Sequence, residues 1–320
     1  PVASSESVSE PGAGSRGPEA DAGERRTASS ESVSGPGAGG RRPEAEDAVP
    51  RRVPVAVLRP SLDQCSPTGV KLGKGSRVVV MPDQGGVSAA LVKRLKKRGV
   101  KTLVVKGAPE AVEFEETLRA WMADGAITGV YWLPALDQAG DLESLSHAQW
   151  REALRVRVKL LYTAMRTLYQ TVGEPGTFLV SATRLGGRHG YDAVGATAPL
   201  GGAVTGFTKT FKRERPDATV KAVDFGAAGK KKLAKRLIAE TLSDPGAVEV
   251  GYASKARWTV ALTEQSVETG EPGMELGPDT VFVITGAAGS ITSAITADLA
   301  RASGGVFHLL DMTPEPDPTD

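Results

Sequence analysis

The stretch that decides the fold is TVFVITGAAGSITSAITADLARASGGVFHLLD, residues Thr280 to Asp311. It opens on the β-branched apolar run Val281 to Ile284, which predicts a strand buried on both faces of a parallel sheet. A glycine turn follows at once. Gly286, Ala287, Ala288 and Gly289 keep side chains small where a phosphate would approach the backbone, and Ser290 to Arg301 reads as a helix whose first N–H groups face that phosphate. A second strand, Val306 to Leu310, ends in Asp311, where a nucleotide-binding fold places the acid that takes a ribose hydroxyl. Strand, turn, helix, strand and acid make one βαβ dinucleotide unit. Such a unit needs further strands and catalytic groups after it, and the sequence ends at Asp320. What precedes it is therefore expected to be a tail, a partner domain or both, and the whole to be a fragment of a longer polypeptide; Pro1 in the place of an initiator Met points the same way.

The 320 residues have room for two domains, and 40% apolar content suffices for a core. Thirty-nine basic residues against 38 acidic leave a charge of +1, with no global pull toward nucleic acid or an acidic membrane. A single cysteine, Cys65, excludes an internal disulfide and a cysteine-based zinc cage, so a cytoplasmic location is expected. No apolar run reaches membrane-helix length and no signal peptide opens the chain.

From Pro1 to Arg52 the only sizeable aliphatic residues are Val2, Val8, Val33 and Val49, too few to offset chain entropy. The segment repeats itself. ASSESVSEPGAGSRGPEADAGERRT begins at Ala3 and ASSESVSGPGAGGRRPEAEDAVPRR at Ala28, a period of 25 without the apolar positions that stacked repeats need. It reads as a disordered tether, and its serines also allow a phosphorylated arm.

Beyond it, Val78 to Val105 resembles the closing motif at an offset of 204, with Val79 on Val283, Gly85 on Gly289 and Leu95 on Leu299. Pro82 replaces Gly286, and Asp83 puts a carboxylate where a pyrophosphate would sit, so this first copy is not expected to bind a dinucleotide. Helices and strands then alternate. Strands are expected at 53–58, 76–81, 102–105, 129–133, 177–181, 219–224, 247–250 and 257–262, and helices at 86–98, 109–123, 146–172, 200–215 and 230–242. The expected fold is α/β: a Rossmann-like doubly wound parallel sheet in a degenerate copy, then the first βαβ of a second Rossmann fold, behind a disordered N-terminal tail.

FLVSATRLGG (Phe178 to Gly187) followed by APLGGAVTGFTKTFKRERPDATVKAVDF (Ala198 to Phe225) resembles the structural half of a short-chain-dehydrogenase-type ketoreductase from a modular polyketide or polyunsaturated fatty acid synthase. EVGYASKARWTVAL (Glu249 to Leu262) and VFVITGAAGSI (Val281 to Ile291) are similar to the join between that half and the catalytic half. The resemblance implies a linker over 1–52, a structural subdomain over 53–272 and the start of the NAD(P)-binding catalytic subdomain over 273–320. It also implies acyl carrier protein domains and other synthase modules as partners, and reduction of the β-keto group of a carrier-bound acyl chain. The cofactor-binding positions are then Thr285, Gly286, Ala287, Ala288, Gly289, Ser290, Ile291 and Asp311, with Thr292 where the third glycine is expected. The family implies NADP(H); an acid at Asp311 would repel a 2′-phosphate and suits NAD(H), so both stay open.

The family's proton donor is a tyrosine four residues before a lysine, whose charge lowers the tyrosine pKa. Four residues after Tyr131, Tyr162, Tyr169, Tyr191 and Tyr252 come Ala135, Arg166, Gly173, Gly195 and Ala256, so no catalytic residue is assigned. Ser181 reads as a strand-end serine satisfied by backbone. His147, His189 and His308 are too scattered for a metal site; His308 falls in a strand expected to be buried, and His189 in a glycine-rich loop expected to be exposed. The basic clusters at Lys93–Lys101, Lys209–Arg215 and Lys230–Arg236 read as solvated helix faces. Three readings remain: a truncated ketoreductase, a scaffold or docking protein with a Rossmann-like fold, and a complete NAD-dependent enzyme with unusual catalytic residues.

Overall fold

The computed structural model describes residues 50–138, 140, 142–193, 195–266 and 274–314. The repeat tail up to residue 49 lies outside them. Order in the sheet begins at β1 (Arg52–Leu58), which takes in the last residue assigned to the tail.

Four short strands are buried along their whole length: β2 (Arg77–Met81), β4 (Gly129–Trp132), β5 (Phe178–Thr183) and β6 (Thr219–Phe225). Successive side chains leave a strand on opposite faces, so each of these feeds two cores. Val78, Val80, Tyr131, Val180 and Phe225 meet α1 (Val87–Lys97) and α6 (Lys230–Leu242) on one side. Val79, Met81, Val130, Trp132 and Leu179 meet α2 (Ala111–Ala123), α4 (Leu160–Thr167) and α5 (Gly201–Glu214) on the other. With β3 (Lys101–Val104), β7 (Glu249–Ala253) and β8 (Ala256–Glu264), the order is β1-β8-β7-β6-β5-β4-β2-β3. The strands from β7 to β3 are parallel, and the order reverses between β2 and β4, which is the switch point of a doubly wound sheet.

Three expectations about the eight-stranded sheet and its helices are corrected. The sheet is not wholly parallel, because a two-residue turn folds β8 back on β7 and β1 then pairs antiparallel with β8. The single helix expected at 146–172 is α3 (His147–Leu154), a π-helical segment (Arg155–Lys159) and α4. In that wider turn Arg157 is buried, its carbonyl accepting Trp132 Nε1–H at 2.8 Å and its guanidinium donating to Asp137 O at 2.9 Å. The strand expected at 247–250 runs from Glu249, since Ala247 and Val248 belong to the turn that leads in.

A buried ionic cluster ties the β1 end of the sheet to α6. Glu240 is fully buried, accepting from Lys221 Nζ at 2.9 Å, from Arg257 at 2.7 and 2.8 Å, and from Tyr252 Oη at 2.5 Å. Burial alone would raise its carboxyl, and the Arg257 and Lys221 charges outweigh burial and hold it below the ordinary value. Asp244 joins Arg257 to Arg59, which follows β1, through bonds of 2.6 to 2.7 Å.

β9 (Val281–Thr285), α7 (Ser290–Ser303) and β10 (Val306–Leu310) form the βαβ unit that the closing stretch predicts. β9 and β10 pair in parallel, Val281 opposite Val306 through Thr285 opposite Leu310, as a two-stranded sheet apart from the eight-stranded one. Burial on both faces is not observed. Phe282 and Phe307 stack at 4.6 Å and are half-buried, whereas Val281 and Val283 on the other face are exposed, because a helix covers only one side. His308 shares the open face and is exposed rather than buried.

Candidate cofactor turn

Two strand–turn–helix units of one design differ in what occupies their backbone donors. In the first, Asp83 accepts the N–H groups of Val87 at 2.9 Å and Ser88 at 2.7 Å, and Asp137 accepts those of Gln84 at 2.8 Å and Gly85 at 3.2 Å. Two carboxylates of the protein thus fill the positions of a pyrophosphate at the start of α1. A cleft of about 720 Å³ still lies beside them, at the switch point, lined by Asp83, Asp137 and Glu152 against Arg157. Burial raises the Asp137 carboxyl, against the pull of its two N–H partners. A further anion there would meet repulsion. The Asp83 contribution is legible in sequence; that of Asp137 is not, because it arrives from the end of another strand.

In the second unit Thr285 closes β9 and Gly286 turns the chain at φ +69°, a left-handed conformation that suits glycine and that Pro82 cannot adopt at the matching place. The Gly286 N–H bonds Leu310 O at 2.8 Å, and the Gly289 N–H bonds Gly286 O at 3.0 Å. A Cβ on Gly289 would stand 3.2 Å from Gly286 O, so the turn is nearly as tight as it can be. No side chain caps α7, which leaves its first turn, from Ser290 and Ile291 on, presented to solvent with Ala287 and Ala288 beside it. Thr292, at the third-glycine position, is half-buried. Asp311 lies at the end of β10 as predicted. Its carboxylate turns back into the glycine turn, accepting the N–H of Ala288 at 2.8 Å and of Thr313 at 2.8 Å. The Thr313 bond first, and the Ala288 bond after it, hold its carboxyl below the ordinary range.

The remaining candidates are elsewhere. Ser181 is buried within β5, not at its end; its hydroxyl pairs with that of Thr208 at 2.8 Å and donates to the backbone carbonyl of Lys221 at 3.5 Å. Tyr131 is buried against Thr241, its hydroxyl pushed up by burial, and Tyr252 is pushed up likewise in the ionic cluster. His189, expected to be exposed, is buried beneath its loop. Among the described residues no group of three His, Cys, Asp or Glu could hold a metal ion, and no helix is long and apolar enough to cross a membrane.

No sequence family and no curated protein matches the chain. Solved structures match its fold. The adenylation, ketoreductase and pseudo Asub multidomain structure of a keto acid-selecting NRPS module superposes with a TM-score of 0.61 at 15% identity, over 82% of this chain and 22% of that one. An N-terminal ketoreductase from the macrolactin assembly line superposes with a TM-score of 0.55 at 12% identity, over 83% of this chain and 54% of that one. The chain therefore spans 22% and 54% of these two. The class of fold is Rossmann-like α/β.

Proposed function

We propose that the chain is the structural half of a β-ketoacyl-thioester reductase joined to the opening βαβ of its catalytic half, within a polyketide or polyunsaturated fatty acid synthase multienzyme whose carrier domains bring the acyl chain. The observation that carries this reading is the contrast between the two turns: the first is satisfied by Asp83 and Asp137, the second opens an uncapped helix behind Gly286 and Gly289. Residues Thr285 to Ile291 would hold the pyrophosphate of a nicotinamide dinucleotide, which supplies the hydride when bound. For that phosphate to take the Ala288 N–H, Asp311 must release it, which frees the carboxylate for a ribose hydroxyl. The residues present fit NAD(H) at Asp311 and, by resemblance, NADP(H) at the turn. The chain's own part is to bind and orient; no tyrosine here is followed by the lysine that would make it a proton donor.

The test is a titration of NADPH and NADH against the parent synthase module and its variants. Gly289→Val is expected to abolish binding by closing the backbone to phosphate. Gly85→Val should leave binding intact and lower stability, since its Cβ meets Asp83 Oδ2 at 3.0 Å. Equal loss from both would make the first copy a nucleotide site and overturn the assignment. Asp311→Asn should improve NADPH relative to NADH by removing a like charge from the 2′-phosphate.

A further inference from the structure

A second cleft, of about 750 Å³, opens at the carboxyl ends of β5, β6 and β7, between the loop after β5, the residues before α6 and the β7–β8 turn. Its charge is one-sided. Arg184, Arg188, Lys232, Arg236 and Lys255 line it against one carboxylate, Asp192. Beneath it lies Asp224, whose buried carboxylate is already used: it accepts Thr183 Oγ1 and the N–H groups of Leu185, Gly187 and His189 at 2.6 to 2.9 Å. That carboxylate pins the loop carrying Arg184 and Arg188. Two guanidiniums are held over rings, Arg188 at 4.1 Å over Trp258 and Arg236 at 4.0 Å over Tyr252. The side chains of Lys232 and Lys255 make no hydrogen bond or ion pair among the described residues, and both residues are exposed. Lys232 also stands in the first turn of α6, whose helix dipole adds positive potential.

Backbone strain gathers at the same rim. Among the described residues four non-glycine residues have positive φ, and three flank this cleft: His189 at 56°, Ser254 at 50° and Lys255 at 67°. Ser254 and Lys255 are the central pair of the two-residue turn joining Ala253 to Ala256, a geometry that favours Asn-Gly. A lysine held there against its preference places a cation over the cleft that glycine could not supply. Strain of this kind is retained where function needs it.

We propose that this cleft binds an oligophosphate group, the diphosphate common to inorganic pyrophosphate and nucleoside diphosphates. Multiple cations with one acid match a multiply charged anion. The aromatic ring in its lining, Tyr252, is covered by Arg236 and stacked on Phe225, so it offers no free face to a base, and recognition rests on the phosphates. The site is separate from the glycine turn of β9 and does not depend on the cofactor reading.

The experiment is calorimetric titration of the chain with pyrophosphate, ADP and adenosine at low, fixed ionic strength, with melting temperature measured in parallel. Saturable one-site binding of pyrophosphate is expected, with ADP within about threefold of it and no binding of adenosine. Lys232→Gln should weaken binding about tenfold, the loss of one charge-assisted contact, with the melting temperature unchanged. Lys255→Gly should weaken binding to a similar degree while raising the melting temperature, because glycine takes φ +67° without strain. Lys235→Gln, on the same helix outside the cleft, should change nothing. Absence of saturable binding, wild-type affinity in both Lys232→Gln and Lys255→Gly, or equal weakening by Lys235→Gln would overturn the proposal. So would adenosine binding as tightly as ADP.

Discussion

Asp244 carries the clearest consequence at the scale of one residue. The Arg59 guanidinium first, and Arg257 beside it, hold its carboxyl well below the usual carboxylate range. An unfolded aspartate titrates near about 3.9, so folding favours the ionised form. The stabilisation is complete above the unfolded value and is lost as pH falls through it toward the folded one. Denaturation midpoints measured from pH 6 down to pH 3 should therefore fall steeply below about pH 4, and Asp244→Asn should flatten that fall while being less stable at pH 6. Unchanged acid sensitivity in the variant would remove Asp244 from the account. None of this cluster is legible in the sequence, because Arg59, Lys221, Glu240, Asp244 and Arg257 meet only once β1, β6, β8 and α6 are assembled. The turn residues are the opposite case. Pro82 for Gly286 and Asp83 at the phosphate position are local substitutions with local effects, and reading them predicts which turn stays open.

β1 shows what an element contributes beyond its own pattern. RVPVAVL predicts a strand but says nothing of its partner, and the chain places it 200 residues from β8, antiparallel, at the edge of the sheet. Arg59, just past its end, also supplies one arm of the Asp244 cluster. A chain beginning at Pro60 should lose the Arg59 arm of the cluster and the cover of the β8 edge, on which Leu262 is already exposed, and should aggregate by edge pairing. A chain beginning at Pro50 should elute in size-exclusion chromatography as the same species as the full-length chain. Equal solubility of the two would mean that β1 is dispensable. The strands were readable wherever they are buried on both faces, since continuous apolar composition has few other uses. The break in the α3–α4 helix was not, because a π turn is set by where Arg157 and Trp132 must meet rather than by propensity.

At the scale of the molecule, reduction of a ketone needs a hydride donor held in a complete pocket and a proton donor within hydrogen-bond reach. This chain offers a glycine turn and no tyrosine–lysine pair, so on the proposed reading it is expected to consume neither NADH nor NADPH with a small β-keto thioester, whereas the proposed parent module should. Clear turnover by these residues alone would revive the reading of a complete enzyme with unusual catalytic groups. The sequence by itself determined the alternation of strands and helices, the two related βαβ units and the loss of the phosphate site in the first, because each depends on residues close together in the chain. Only the tertiary structure decided the antiparallel edge, the buried ionic cluster, the second carboxylate from Asp137 and the cationic cleft beside β7. Those depend on side chains from distant segments being desolvated together, and burial of that kind has no local signature.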